Sequence, residues 1–479
     1  MLAQFIRKEI LDSLLNQRFV MLAVFSIILM PLGAAINYEY YQGRRASFDS
    51  QFAEYQQEER RAWNQRAYRA PVLLSSLARG TEPYMPLYYA FSDDADPTEP
   101  GNIEAQDFTT LSTFGSFDFL FIVQVVFSLL AVLLAFDMIA GEKERGTLRA
   151  VLANRVPRDS ILLGKFIGGF IVLWLVFTVG ALLLYLMLVL FDGRFVEGEM
   201  LGRVVFIFGV ATLFLAAFYS LGLMISTFCH STRTAIVALL VIWVVLQLVI
   251  PKAGEMLAAV VVPVRSEEAV RIEKARIVEE LNDDLDEKAG DLFTQITGHS
   301  DFQGAFEFLG SDAPEALRFK EAYQEAAQES QRRQRDQVRE VDQAFQREKA
   351  RQQRVSRGVA LLSPAAALSL LVTDAAGTGD LAYRNYREAV QGHYQVIDRL
   401  VFSKRRSSRY RIRLGGSVIS SSFGGGEDPD LDEIPVFTVS EPALRNVLKT
   451  NAWALGTLFA YLVIPFVIAY VVFLRYDVR

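Results

Sequence analysis

Cysteine is nearly absent: Cys229 is the single one in 479 residues. That excludes an intrachain disulfide and a cysteine-cluster metal site. Histidine is almost as scarce. His230, His299 and His393 lie far apart, and solvated side chains explain them better than one shared metal. No G-x-x-x-x-G-K-[ST] occurs, and Gly424 to Gly426 precede an acidic turn unsuited to cradling phosphate. H-E-x-x-H and G-x-S-x-G are missing as well. Paired carboxylates such as Asp93-Asp94 and Asp283-Asp284 read as turns and acidic helix faces. The formal charge is −6, with basic residues scattered or set at the edges of apolar runs, which gives no reason to expect nucleic-acid binding. No catalytic centre and no bound cofactor are predicted.

What the chain has in quantity is apolar sequence. It is 52% hydrophobic with 35 Phe, yet 22% charged, which predicts two kinds of segment. Six apolar runs are read as spans: Phe19 to Ile36, Phe119 to Ala140, Phe166 to Phe191, Val204 to Ser226, Ala235 to Ile250 and Ala452 to Leu474. The first has no small-residue cleavage pattern and reads as a signal anchor. Residues 1–18 form an amphipathic interfacial helix, with Phe5, Ile6, Ile10, Leu14 and Leu15 to one side. The predicted divisions are then 19–37 for the first span, 38–117 for an extracytoplasmic segment and 118–250 for spans two to five. Residues 251–449 form a re-entrant piece and a large extracytoplasmic domain, and 450–479 the sixth span and tail. Pro251 ends the short fifth run, so the following M-L-A-A-V-V-V-P-V is expected to dip back rather than cross.

In the outer domain, Ser266 to Thr297 and Pro314 to Arg357 are rich in Glu, Gln, Arg and Ala and predict two long exposed helices. Ser363 to Val372 is apolar but too short to span, so it lies on the membrane or under those helices. Loops with a short strand pair are expected over residues 374–445. Short loops rich in Lys and Arg lie inside, which puts both termini and the 137–165 loop on the cytoplasmic side. The fold class is mainly α: a polytopic membrane protein with six transmembrane helices and a mostly helical extracytoplasmic domain.

Residues 137–165 hold the basic cluster Lys143, Arg145, Arg149, Arg155, Arg158 and Lys165. Leu148, Val151 and Leu152 recur at helical spacing beside polar Glu142, Lys143, Glu144, Arg145 and Arg149, the pattern of a short helix along the inner face. Charges within the spans would mark an ion path. Asp137 alone qualifies, and it reads as a capping residue near the exit. Gly164, Gly168 and Gly169 allow close helix approach in the third span.

The stretch G-E-K-E-R-G-T-L, followed by P-R-D-S-I-L-L-G-K, resembles the type-2 ATP-binding-cassette permeases. Gly141, Glu142, Lys143, Gly146, Thr147 and Leu148 match the first half of that family's pattern, and Arg158, Ile161, Gly164 and Lys165 the second. Val156-Pro157 departs slightly in order. The long outer segments, with S-P-A-A-A-L and then A-G-T-G-D-L-A-Y-R-N-Y, are similar to a bacterial subgroup with extracytoplasmic insertions. The resemblance implies a bacterial inner-membrane permease that pairs with a second permease, identical or different, and with a separate P-loop ATPase carrying ATP and Mg. Residues 141–158 would include the coupling helix. Glu142 and Arg145 would supply polar ATPase contacts, Leu148 and Leu152 would pack toward the membrane, and Gly146 would permit close approach. Lys143, Thr147 and Arg149 complete the segment.

Two functions compete. Apolar spans without buried charges suit export of an amphipathic cargo. The long polar arms suit mechanical signalling to an extracytoplasmic envelope protein, with nothing crossing the membrane. A membrane-embedded enzyme has no constellation behind it.

Overall fold

In a computed structural model, the described residues are 2–15, 17–57, 65–91, 117–153, 157–298, 308, 313–402, 409–414, 417–422 and 435–476. Arg60-Arg61, Asp93-Asp94, Arg155, Val156, His299, Gly424 to Gly426 and Arg479 lie outside them. Among the described residues, six helices are long and apolar enough to cross a membrane. The chain runs α1 (Leu2–Leu14), α2 (Gln17–Gln57), β1 (Gln65–Tyr68), β2 (Tyr88–Phe91) and α3 (119–135). Two short helices follow, α4 (Ala140–Glu144) and α5 (Thr147–Ala153), then α6 (Arg158–Phe191), α7 (Gly198–Phe228) and α8 (Thr232–Val261). Next come α9 (Glu267–Thr297), α10 (Pro314–Ala360), α11 (Pro364–Ala376), α12 (Asp380–Ile397), β3 (Arg409–Leu414), β4 (Ser417–Ser422), α13 (Leu444–Thr450) and α14 (Ala452–Leu474). The spanning helices are α2, α3, α6, α7, α8 and α14, with α3 continuing through α4.

Their outward faces keep large apolar side chains exposed, Ile28, Leu182, Val205, Val241 and Ile464 among them, as lipid contact requires. Inside, small residues let helices close. An added Cβ at Gly180 would lie 2.0 Å from Ser26 Oγ, which donates to Val176 O at 2.9 Å. At Gly169 it would lie 1.8 Å from the Tyr219 hydroxyl. These contacts seat α6 against α2 and α7.

Several elements differ from the sequence expectation. The first span does not end near residue 37. Pro31 is absorbed, and α2 runs on unbroken to Gln57, about 60 Å of helix at 1.5 Å per residue. The prolongation is held by rings: Tyr38 stacks on Phe191 at 4.8 Å, and Phe48 and Phe52 meet Tyr68 of β1. β1 pairs antiparallel with β2, Gln65 opposite Phe91.

Nor does Pro251 stop the fifth span, and the apolar piece after it does not re-enter. The helix accommodates proline through a π turn at Val245–Val249, where Ile250 N–H bonds Val245 O instead of Leu246 O. Proline has no N–H to offer, so Leu246 O is left over, and Ser363 Oγ donates to it. Ser363 is also the N-cap of α11, accepting from Ala365 and Ala366 N–H at 3.1 and 3.4 Å. The S-P-A-A-A-L segment therefore lies buried in the main core against α7 and α14, not on a surface.

α9 and α10 form an antiparallel arm, with ends set by the Ser266 cap and the left-handed Gly298. Ala289, Phe293, Phe319, Tyr323 and Ala327 make its small core. Near its base Lys349 pairs with Glu267 and Arg265 with Glu348. Residues 380–397, expected as loop, are helix α12, whose Tyr386 hydroxyl donates to Ala67 O at 3.0 Å and so packs it onto the β1–β2 pair. β3 and β4 make the expected short strand pair.

Candidate functional site

The basic loop between the second and third spans folds as two helices, not one. Ser226 Oγ accepts from Ile139 and Ala140 N–H, both at 3.0 Å, and so caps the start of α4. Gly146, at φ +74°, turns the chain into α5. An added Cβ there would meet nothing within 4 Å, so its glycine serves the turn rather than a close approach. Gly141 is the position in closer contact, 3.5 Å from Thr232 Cγ2.

Each charged side chain takes a separate role. Lys143 Nζ donates to Thr227 O and Cys229 O and lies 5.0 Å from the Tyr476 ring centre, neutralising the carbonyl end of α7. Glu144 accepts from Thr232 N–H at 2.8 Å and from its hydroxyl at 2.6 Å, at the first turn of α8. Arg158 donates to Leu474 O at 2.7 Å and Tyr476 O at 3.0 Å, at the end of α14. Lys143 and Glu144 thus tie the hairpin to the ends of α7 and α8, while Arg158 ties the start of α6 to the end of α14.

Glu142 does not point outward as expected. It and Glu9 of α1 both accept from Lys165 Nζ at 2.9 Å, and the lysine side chain is 6% exposed. Low exposure makes removing one member of this cluster costlier than breaking a surface ion pair. Among the described residues, the second Glu142 oxygen is buried with no hydrogen-bond partner. Gly168 lets α1 settle here, its Cβ position 2.7 Å from Glu9 Cβ. The N-terminal helix is therefore a bracket between α6 and the hairpin.

Leu148 is fully buried with Ile139, Ile161, Leu162, Leu223 and Phe473, and Val151 and Leu152 pack beside it. Arg145, Thr147 and Arg149 are exposed. The predicted residues thus separate into an apolar and acidic inner face and a basic outer face.

Sequence reasoning missed Lys165 as a buried group, because it closes the basic loop and its partner Glu9 is 156 positions away. It also missed Arg203, 2% exposed near the far end of α7, which donates to Ala375 O at 3.0 Å and Pro442 O at 2.8 Å. The arginine beside an apolar run was the available signal. Gln247 was a third, the lone polar side chain in I-V-A-L-L-V-I-W-V-V-L-Q-L-V-I.

Six spanning helices bracketed at one end by an interfacial helix and a basic hairpin define a multi-pass α-helical membrane protein. The chain belongs to the ABC-2 family transporter proteins, whose family model matches residues 4–478. It is similar to an ABC transporter permease protein designated NosY from Stutzerimonas stutzeri, 42% identical over 81 residues, 17% of this chain and 28% of that one. The NosY of Pseudomonas aeruginosa is 46% identical over 52 residues, 11% of this chain and 19% of the relative. The chain thus covers less than a third of either relative's length.

Proposed function

We propose that the protein is the permease subunit of an ABC transporter in a bacterial inner membrane, with the α4–α5 hairpin as the seat of a separate ATPase and both termini on that cytoplasmic side. The hairpin carries the reading. Its apolar face is anchored in the bundle beside Phe473 of α14, its Lys143 and Glu144 reach the ends of α7 and α8, and Arg145 and Arg149 face away from the protein. A load applied there moves several spans together. ATP and Mg belong to the ATPase, which this sequence with no P-loop does not supply. A second permease, identical or different, completes the path, and the apolar outward faces contact lipid. Export of an amphipathic cargo is the leading use. Mechanical signalling to an envelope protein is the second, favoured by the α9–α10 arm, since a simple exporter has no need of it.

The test is co-purification with the ATPase. Arg145→Glu with Arg149→Glu should abolish the association while thermal stability stays unchanged, because both side chains are exposed. Undiminished ATPase binding and ATP hydrolysis in that double variant would show that the hairpin is not the seat.

A further inference from the structure

Two spans carry π turns, and the two are bonded to each other. One is Ile122–Phe127 in α3, and the other is Val245–Val249 in α8. A π turn shifts a backbone donor to the carbonyl five residues back and strands the one at four. In α3, Ser128 N–H bonds Val123 O and Val125 O, passing over Gln124 O. That carbonyl is met within α3 by Ser128 Oγ and from the other helix by Gln247 Nε2. The same amide nitrogen donates to Ser128 Oγ at 2.9 Å, and Trp243 Nε1 reaches that hydroxyl at 2.9 Å. The carbonyl stranded in α8, Leu246 O, is taken by Ser363 Oγ of the α11 cap. Each irregular turn therefore takes a side-chain donor from a neighbouring element, the α3 turn in addition to its own Ser128 hydroxyl, in surroundings where an unmet carbonyl costs several kcal/mol.

The placement gives the joint its meaning. α3 runs directly into α4 and the hairpin. α8 runs past its π turn and Pro251 to Val261, where Gly254 lies against the last turns of α10, its Cβ position 2.9 Å from Ser356 O. Gln352 of α10 donates to Val262 O at 2.9 Å. A continuous path leads from hairpin to α3, through Gln247 to α8, and on to the base of the arm. The joint is also poised rather than locked. Gln247 is 5% exposed, its nitrogen is fixed by the Gln124 carbonyl, and its oxygen is buried without a partner among the described residues. That unmet acceptor raises the energy of the present arrangement relative to one in which the amide finds a donor.

We infer that Gln247 is a positioning residue that couples the hairpin to the α9–α10 arm, so that the ATPase stroke moves the arm. The inference rests on the permease reading and adds to it that the arm is an output of the stroke. Loss of the amide uncouples the arm while leaving the hairpin responsive.

The experiment uses the full chain with its ATPase in lipid nanodiscs, reading hydrogen–deuterium exchange with and without ATP plus vanadate. The wild type should change its exchange both in residues 137–153 and in the arm. In Gln247→Leu the hairpin change and ATP hydrolysis should persist, while the arm change falls about fivefold or more, the scale of a coupling between sites. Trp243→Phe removes one bond, Ser363→Ala removes the Leu246 contact together with two cap bonds of α11, and both are read the same way, which covers a Gln247→Leu that fails to fold. Ser220→Ala removes a comparable contact to Leu462 O (2.8 Å) outside the joint and should leave the arm response intact. An arm response retained in folded Gln247→Leu overturns the joint, as does a wild-type arm that stays silent while the hairpin responds. Absence of any ATPase overturns the permease reading, and the joint's role with it.

Discussion

Lys165→Met tests the bracket at its centre. The lysine holds two carboxylates at 2.9 Å, and the side chains of Glu9 and Glu142 are only 17% and 14% exposed. Without it both face each other with no cation. Breaking a buried pair costs about 3–5 kcal/mol, and the residual exposure lowers the expectation to about 2–4 kcal/mol. Single carboxylate changes should cost far less. In Glu142→Gln, the amide oxygen still accepts from Lys165, Glu9 keeps the charge balanced, and the new N–H replaces an unpartnered oxygen, so the change should stay within about 1 kcal/mol. The triple variant Lys165→Met, Glu9→Gln, Glu142→Gln should recover much of the loss, since a buried ion cluster replaced as a whole leaves no stranded charge. The assay is the tryptophan-fluorescence melting midpoint in detergent, with ATPase co-purification alongside. A Lys165→Met protein with the wild-type midpoint and undiminished ATPase binding would refute the bracket. So would a triple variant no better than the single.

Two further tests concern packing and charge. Gly169→Ala places a Cβ 1.8 Å from the Tyr219 hydroxyl and should destabilise by about 1–3 kcal/mol in the same melting assay. Tyr219→Phe should restore part of that, and no restoration would show that the clash lies elsewhere. Burial holds the Asp374 carboxyl above its ordinary range, against the lowering effect of hydrogen bonds from Asn451 and Leu381 N–H. A carboxyl with a raised native pKa contributes stability that is complete below the unfolded value, near 4, and is lost as pH rises through the native one. The melting midpoint should therefore gain from Asp374 as pH falls towards 4, and Asp374→Asn should remove that part of the slope. An unchanged slope would exclude Asp374 as its source.

The six spans were legible because each is an unbroken apolar run, and the arm because its caps, Ser266 and Gly298, stand in the sequence at its ends. The end of the fifth span was not. A proline after 16 apolar residues reads as a stop, and only the π turn with the Ser363 donor, more than 100 positions later, lets the helix continue. The buried roles of Glu142 and Arg203 were hidden for a similar reason. A charge is read as exposed until its partner is known, and those partners come from remote segments. At the hairpin, the apolar positions Leu148 and Leu152 declared their inward face by spacing, whereas the inward turn of Glu142 depends on Lys165.

Arg203 carries a consequence for how the protein is made. The acceptors that hold it, Ala375 O and Pro442 O, are synthesised 172 and 239 residues after it. Because chains emerge N-terminus first, the fourth span enters the bilayer with this guanidinium still waiting for both carbonyls. An arginine near lipid with only the exposed Glu199 of its own helix for a partner is costly, so a nascent or truncated chain carries its own mark of incompleteness. The mark is erased only when the segments bearing Ala375 and Pro442 arrive, which ties completion of the fourth span to the last part of the chain.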